Sequence, residues 1–122
     1  MNHTPRFLHV AEAARRRINE TTIEAIKNRL EQNESFYLID VREDHEWSTG
    51  HIPGAMHLGR GIIERDIEAH IAAMDADIVV YCGGGYRSAM VADQLQQMGY
   101  TQVVSMDGGY RGWTDKNLPI TQ

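Results

Sequence analysis

Apolar positions along the chain change their period several times, and each change marks an element. Phe7, Val10, Ala11, Ala14 and Ile18 recur at helical spacing, which predicts an amphipathic N-terminal helix. Thr21-Thr22-Ile23-Glu24 reads as a capping box opening a second helix, with Ile23, Ile26 and Leu30 on its apolar face and Asn33 as its stop. Phe36-Tyr37-Leu38-Ile39 predicts a strand ending at Asp40-Val41-Arg42. Glu43 to Trp47 reads as one or two helical turns closed by Gly50, and His51-Ile52-Pro53-Gly54-Ala55 as a turn. Ile63, Ile67 and Ile71 predict a helix from Ile62 to Met74. The continuous run Ile78-Val79-Val80-Tyr81 has the pattern of a buried strand. Val91, Ala92, Leu95 and Met98 then give a helix from about Ser88 to Met98, with Gly99 suited to a left-handed cap. Val103-Val104 predicts a last short strand, Met106 to Tyr110 a loop, and Arg111 to Lys116 a final helical turn or two.

Strands alternating with helices imply an α/β fold: a central, mostly parallel sheet flanked by helices on both faces, with an extra N-terminal helix. In such sheets ligands bind beyond the carboxyl ends of the strands. The loops after Asp40, Cys82 and Ser105 lie at such ends. Topology therefore predicts that Asp40, Arg42, Asp107 and Gly108 lie near the Cys82 loop.

The 122 residues suit one domain with a sizeable core, taken as residues 21–122 preceded by a helical extension over 1–20. Hydrophobic residues at 42% and charged residues at 24% fit a soluble globular chain. No apolar run approaches the ~20 residues that cross a bilayer, and Met1 to Pro5 do not resemble a secretory signal. The single cysteine cannot form an intramolecular disulfide, which fits a reducing, cytoplasmic setting. A net charge of -5 argues against nucleic acid as a partner. The one dense basic cluster, Arg15-Arg16-Arg17, reads as the solvated face of the first helix. Glu12 and Glu20 argue against a mitochondrial transit peptide.

Chemistry concentrates at Cys82, where the buried strand breaks into Cys82-Gly83-Gly84-Gly85-Tyr86-Arg87-Ser88 and then a helix. Three glycines let the backbone turn tightly and aim several N–H groups at one spot. The positive end of the following helix faces the same spot. The anion such a loop would cradle is a thiolate, so context marks Cys82 as a nucleophile rather than core filler.

These residues resemble the rhodanese-like family of sulfurtransferases in its single-domain form. Asp40-Val41-Arg42, Glu46-Trp47 and Gly50-His51-Ile52-Pro53-Gly54-Ala55 are similar to the family's first signature. Cys82 to Ser88 resembles its catalytic loop, and Gly108-Gly109-Tyr110 with Trp113 its C-terminal signature. The likeness runs from roughly Thr21 to Leu118.

The resemblance implies a two-step persulfide exchange needing neither metal nor organic cofactor. The Cys82 thiolate takes the outer sulfur of a small anionic donor such as thiosulfate, and sulfite leaves. Cyanide, a thiol or another protein's cysteine then accepts that sulfur. The amides of Gly83 to Ser88 would hold the anionic sulfur and any sulfonate oxygens. Arg87 either binds an oxyanion or forms a structural pair with Asp40 or Glu46. Asp40, Arg42 and Glu46 are expected to brace the loop from behind as an ion-pair network. Tyr86 either forms the mouth of the site or covers the loop. His51 is expected to be a hydrogen-bonded structural residue, Trp47 and Trp113 packing residues. The six-residue spacing of His45, His51 and His57 does not suit a metal site. The extension before Thr21 is expected to pack on its own domain rather than on a second copy, and the protein to be a monomer or homodimer.

Two other readings compete. A sulfur-relay or regulatory protein-binding module would turn over thiosulfate poorly. Glycine directly after Cys82, where some thiosulfate-using relatives carry a cation, leaves the donor open. A Cys-based phosphatase is a weaker reading, because four residues separate Cys82 from Arg87 where those enzymes place five. A nucleotide P-loop is weaker still, since no Lys-Ser/Thr pair follows the glycines.

Overall fold

The computed structural model describes residues 3–122. The elements run α1 (Pro5–Arg15), β1 (Asn19–Thr21), α2 (Ile23–Glu31), β2 (Tyr37–Asp40), α3 (Asp44–Thr49), β3 (Met56–His57), α4 (Ile63–His70), β4 (Ile78–Tyr81), α5 (Tyr86–Met98), β5 (Val103–Met106) and α6 (Gly109–Asp115). The five strands form one parallel sheet in the order β1-β5-β4-β2-β3. β4 is central and all four of its residues are buried. Ile78 and Val80 join one core with Ile63, Ile67 and Leu95; Val79 and Tyr81 join the other with Ile23, Ile26 and Trp113. A strand covered on both faces carries apolar side chains at every position, which is why its sequence shows a run and not an alternation.

β1 and β3 are additions to the expected set. β1 is Asn-Glu-Thr, three polar residues, and β3 the half-buried pair Met56-His57; each is too short to carry a period of two. Several boundaries also move. The cap of α2 is Thr22, whose side chain accepts from the Ala25 amide at 3.1 Å, so Thr21 and Glu24 do not form the expected capping box. α4 stops at His70, and buried Ile71 is its extended C-cap, so its apolar spacing outlasts the helix. α5 starts two residues early, at Tyr86, directly from left-handed Gly85 (φ 110°).

α1 packs on α5 through Ala11, Ala14 and Met90, with Phe7 and Tyr86 beside them. Val10 is exposed and off that face, and Ile18 lies beyond the helix, against the α4–α5 core. The basic cluster is not simply solvated. Arg15 meets Glu20 at 3.2 Å and Asp107 at 3.5 Å, while Arg17 meets Asp93 at 2.6 Å. No helix among the described residues is long and apolar enough to cross a membrane.

Candidate active site

Cys82 follows the last residue of β4, and its side chain is 1% exposed. Cys82 lines a cleft of about 650 Å3. The Gly85 N–H donates to Sγ at 3.1 Å. The amides of Tyr86, Arg87 and Ser88 occupy the first turn of α5, where N–H groups have no partner within the helix. Gly85 thus touches the sulfur, and the following three amides lie beside it at the positive end of a 13-residue helix.

A buried hydroxyl pair continues from the sulfur. The Sγ–H donates to Ser88 Oγ at 3.4 Å, and Ser88 Oγ lies 2.8 Å from Ser105 Oγ at the end of β5. Hydroxyl protons rotate, so the thiolate can be met instead by the Ser88 O–H, itself supported by Ser105. Ser105 carries no sequence signal beyond its place before a loop, and the sequence reading does not include it.

The turn entering α6 locks onto the Cys82 loop. The Tyr110 N–H donates to Cys82 O at 2.7 Å, and the Arg111 N–H to Gly83 O at 2.9 Å. Gly109 makes this approach possible. Its φ is 56°, and a Cβ there would stand 2.5 Å from Cys82 O. Asp107 and Gly108 accordingly lie against Gly85, beside the loop as the topology predicts.

The expected Asp40–Arg42–Glu46 network is divided in two. Arg87 is held in a fork by Glu46, Nη1 to Oε1 at 2.9 Å and Nη2 to Oε2 at 3.1 Å. This hydrogen-bonded pair holds the Glu46 carboxyl down at about 2, against the opposing effect of partial burial. Arg87 is raised in turn by the same bonds. Arg42 instead binds buried Asp40, with Nη2 to Oδ2 at 2.7 Å, and donates to Gly50 O at 2.7 Å. Its guanidinium lies 4.0 Å from the Tyr110 ring centroid.

Strand register explains the division. Asp40 stands opposite Tyr81, one residue short of Cys82, so alternation sends its carboxylate to the face away from the sulfur. Arg42 meets the clasp on the Cys82 loop through the Tyr110 ring, and Asp40 stands beside Tyr81, the residue before Cys82. Burial, followed by the Asp40 charge, pushes the Tyr81 phenol far up, and its neutral hydroxyl accepts from the Ile52 amide at 3.1 Å.

Besides Cys82, Gly83 and Gly84, the cleft is lined by Glu43, His45, Glu46 and Arg87, and by His3, Phe7, Tyr86 and Arg111. Tyr86 is thus one of the residues that line the cleft. The sequence reading does not place Phe7, Arg111 or His45 at the site: an apolar face gives no sign that its first residue overhangs a pocket. His51 Nδ1 bonds to Trp47 O at 3.1 Å, and the Trp47 ring is stacked between those of His51 and His57. Trp113 is buried and donates to Pro119 O at 2.8 Å.

A cysteine-bearing loop at a strand end, clasped by a Gly-Gly turn, coincides with a match to the rhodanese-like domain family over residues 22–116. The chain belongs to the rhodanese-like family. It is 35% identical over 103 residues to a sulfurtransferase from Allochromatium vinosum, covering 84% of this chain and 94% of that one. It is 34% identical over 99 residues to the "Putative sulfur carrier protein YrkF" of Bacillus subtilis, covering 81% of this chain but spanning only about half, 52%, of that relative. This rhodanese-like domain also superposes on a Rhodopseudomonas palustris structure described as a protein of unknown function, "Possible Tyrosine Phosphatase". That likeness has a TM-score of 0.81, 28% identity and 99% coverage of both chains.

Proposed function

We propose that this rhodanese-like domain is a sulfurtransferase that carries sulfane sulfur as a persulfide on Cys82. The observation that carries the reading is the Gly85 N–H directed at the Sγ of Cys82, a residue that lines the cleft. In the first step the thiolate attacks the outer sulfur of a donor such as thiosulfate. The Cys82 S–S bond forms, the donor's S–S bond breaks, and sulfite departs with the bonding pair. In the second, a thiophile attacks the terminal sulfur and restores the Cys82 thiolate; with cyanide the product is thiocyanate. The loop amides meet negative charge on sulfur throughout, so no base need remove a proton during transfer once the thiol has ionised.

Names of the relatives support sulfur transfer and leave donor and acceptor open. Initial rates of thiocyanate formation, varying thiosulfate at several cyanide concentrations, test the reading. Parallel double-reciprocal lines are expected for the two-step exchange. Intersecting lines, or rates independent of protein, would contradict it.

A Cys-based phosphatase is the second reading, favoured by the description of the R. palustris structure. Against it stands the loop, with four residues between Cys82 and Arg87, and Arg87 with both terminal nitrogens engaged by Glu46. Release of p-nitrophenol from its phosphate ester, lost in Cys82→Ser, would favour it.

A further inference from the structure

The cleft is much larger than a small inorganic donor requires. Its roughly 650 Å3 falls in the range of about 300–1,000 Å3 that holds organic ligands. One wall is built from outside the segment that matches the family, residues 22–116. From that wall Phe7, on the first turns of α1, meets Tyr86 of the catalytic loop at 6.1 Å between ring centroids, in edge-on contact. His3 closes the trio at 4.8 Å from Phe7 and 5.0 Å from Tyr86. The position of Tyr86 is further fixed by the Arg15 guanidinium, 5.6 Å from its ring centroid. The ring of Phe7 is set by a well-formed helix start, in which Thr4 Oγ1 accepts from the Phe7 amide and Pro5 opens the first turn.

Charge in the cleft is just as specific. The Arg87 guanidinium is committed to Glu46. Arg111 lines the same cleft and forms no ion pair among the described residues. Its Nη1 lies 3.9 Å from where a Cβ on Gly84 would stand, and its own N–H is anchored on Gly83 O. A free cation and an aromatic wall therefore flank the approach to one nucleophilic sulfur.

We propose that this cleft selects an organic sulfane-sulfur donor joining a flat apolar group to an anionic sulfur head, with Phe7 and Tyr86 holding the apolar group and Arg111 the head. The inference rests on the sulfur-transfer reading and names the donor class for it. An aryl thiosulfonate is the simplest such molecule. The Cys82 thiolate attacks its terminal sulfur, the Cys82 S–S bond forms, the donor's S–S bond breaks, and an aryl sulfinate leaves with the electron pair. No oxidant or reductant is consumed.

The test compares benzenethiosulfonate with methanethiosulfonate, which share the reacting head and differ in the flat group. Thiocyanate formation gives kcat/KM for each, divided by that donor's rate with a free thiol to remove intrinsic reactivity. The corrected ratio is expected to favour the aryl donor at least tenfold. Phe7→Leu, which keeps apolar volume without the ring, and Phe7→Ala should each lower that ratio, the latter by about tenfold. Arg111→Gln should raise KM for both donors by about tenfold with a smaller change in kcat. A corrected ratio near one, or a ratio indifferent to both Phe7 variants, overturns the donor assignment while transfer from either donor leaves the sulfur-transfer reading standing. No thiocyanate from either donor, with none from thiosulfate, overturns both.

Discussion

Arg87 and Glu46 share a two-bond fork, 2.9 and 3.1 Å, that ties the first turn of α5 to α3. An arginine so engaged is expected to act first as a brace that fixes the start of α5 and, with it, the Gly85 amide that donates to Cys82 Sγ. Replacing it by alanine is expected to lower stability by about 1–2 kcal/mol, the range of a partly exposed charge-assisted pair. Arg87→Ala should also reduce turnover of anionic and neutral donors by similar factors. A loss confined to anionic donors, with an unchanged melting temperature, would instead make Arg87 a substrate contact.

The same pair makes stability depend on pH in a defined window. Glu46 titrates at about 2 in the fold against an ordinary value of 4.5. A depressed carboxyl stabilises the fold above its unfolded value, and that contribution is lost as pH falls toward the folded one. The wild type should exceed Glu46→Gln by about 1 kcal/mol at pH 7, and the difference should vanish between about 4.5 and 2. Urea melts of both proteins at several pH values measure it; a constant gap would contradict the assignment.

On the other face, Asp40 and Arg42 are almost wholly buried, at 0% and 4% exposure. Removing one partner leaves the other charge without compensation, which typically costs about 3–5 kcal/mol. Asp40→Ala should therefore unfold at far lower denaturant than the wild type, whereas Arg87→Ala should shift only modestly. Equal shifts would mean that the buried pair contributes no more than the exposed one.

Gly109 carries a steric demand. Any side chain there meets Cys82 O and Gly83 O on a backbone already at positive φ. Gly109→Ala is expected to cost about 1–3 kcal/mol and to slow persulfide formation by displacing the loop. A variant with wild-type stability and wild-type rate would show that the clasp between α6 and the loop is not needed.

What the sequence makes legible follows from how each feature is encoded. β4, the Cys82 loop and α5 are written in local patterns: a continuous apolar run, three glycines, and a helical period. The side of the sheet on which Asp40 falls is not local. It depends on the register that sets Asp40 opposite Tyr81, and a one-residue offset separates its carboxylate from the sulfur. β1 gains its strand character from pairing with β5, not from its own polar residues. The same limit hides Ser105 and Phe7, whose positions beside Ser88 and Tyr86 come from packing between distant segments. Val10 shows the reverse case, an apolar residue at helical spacing that packing leaves exposed.

The central claim, that Cys82 carries the sulfur, is tested most directly by the intact mass of the protein after thiosulfate exposure and gel filtration. Benzenethiosulfonate serves as a second donor, and Cys82→Ser is treated alongside. Wild type should gain about one sulfur, ~32 Da, and lose it on addition of cyanide, while Cys82→Ser gains nothing. A folded wild type that gains no mass from either donor, or a Cys82→Ser variant that gains the same mass, would contradict the account.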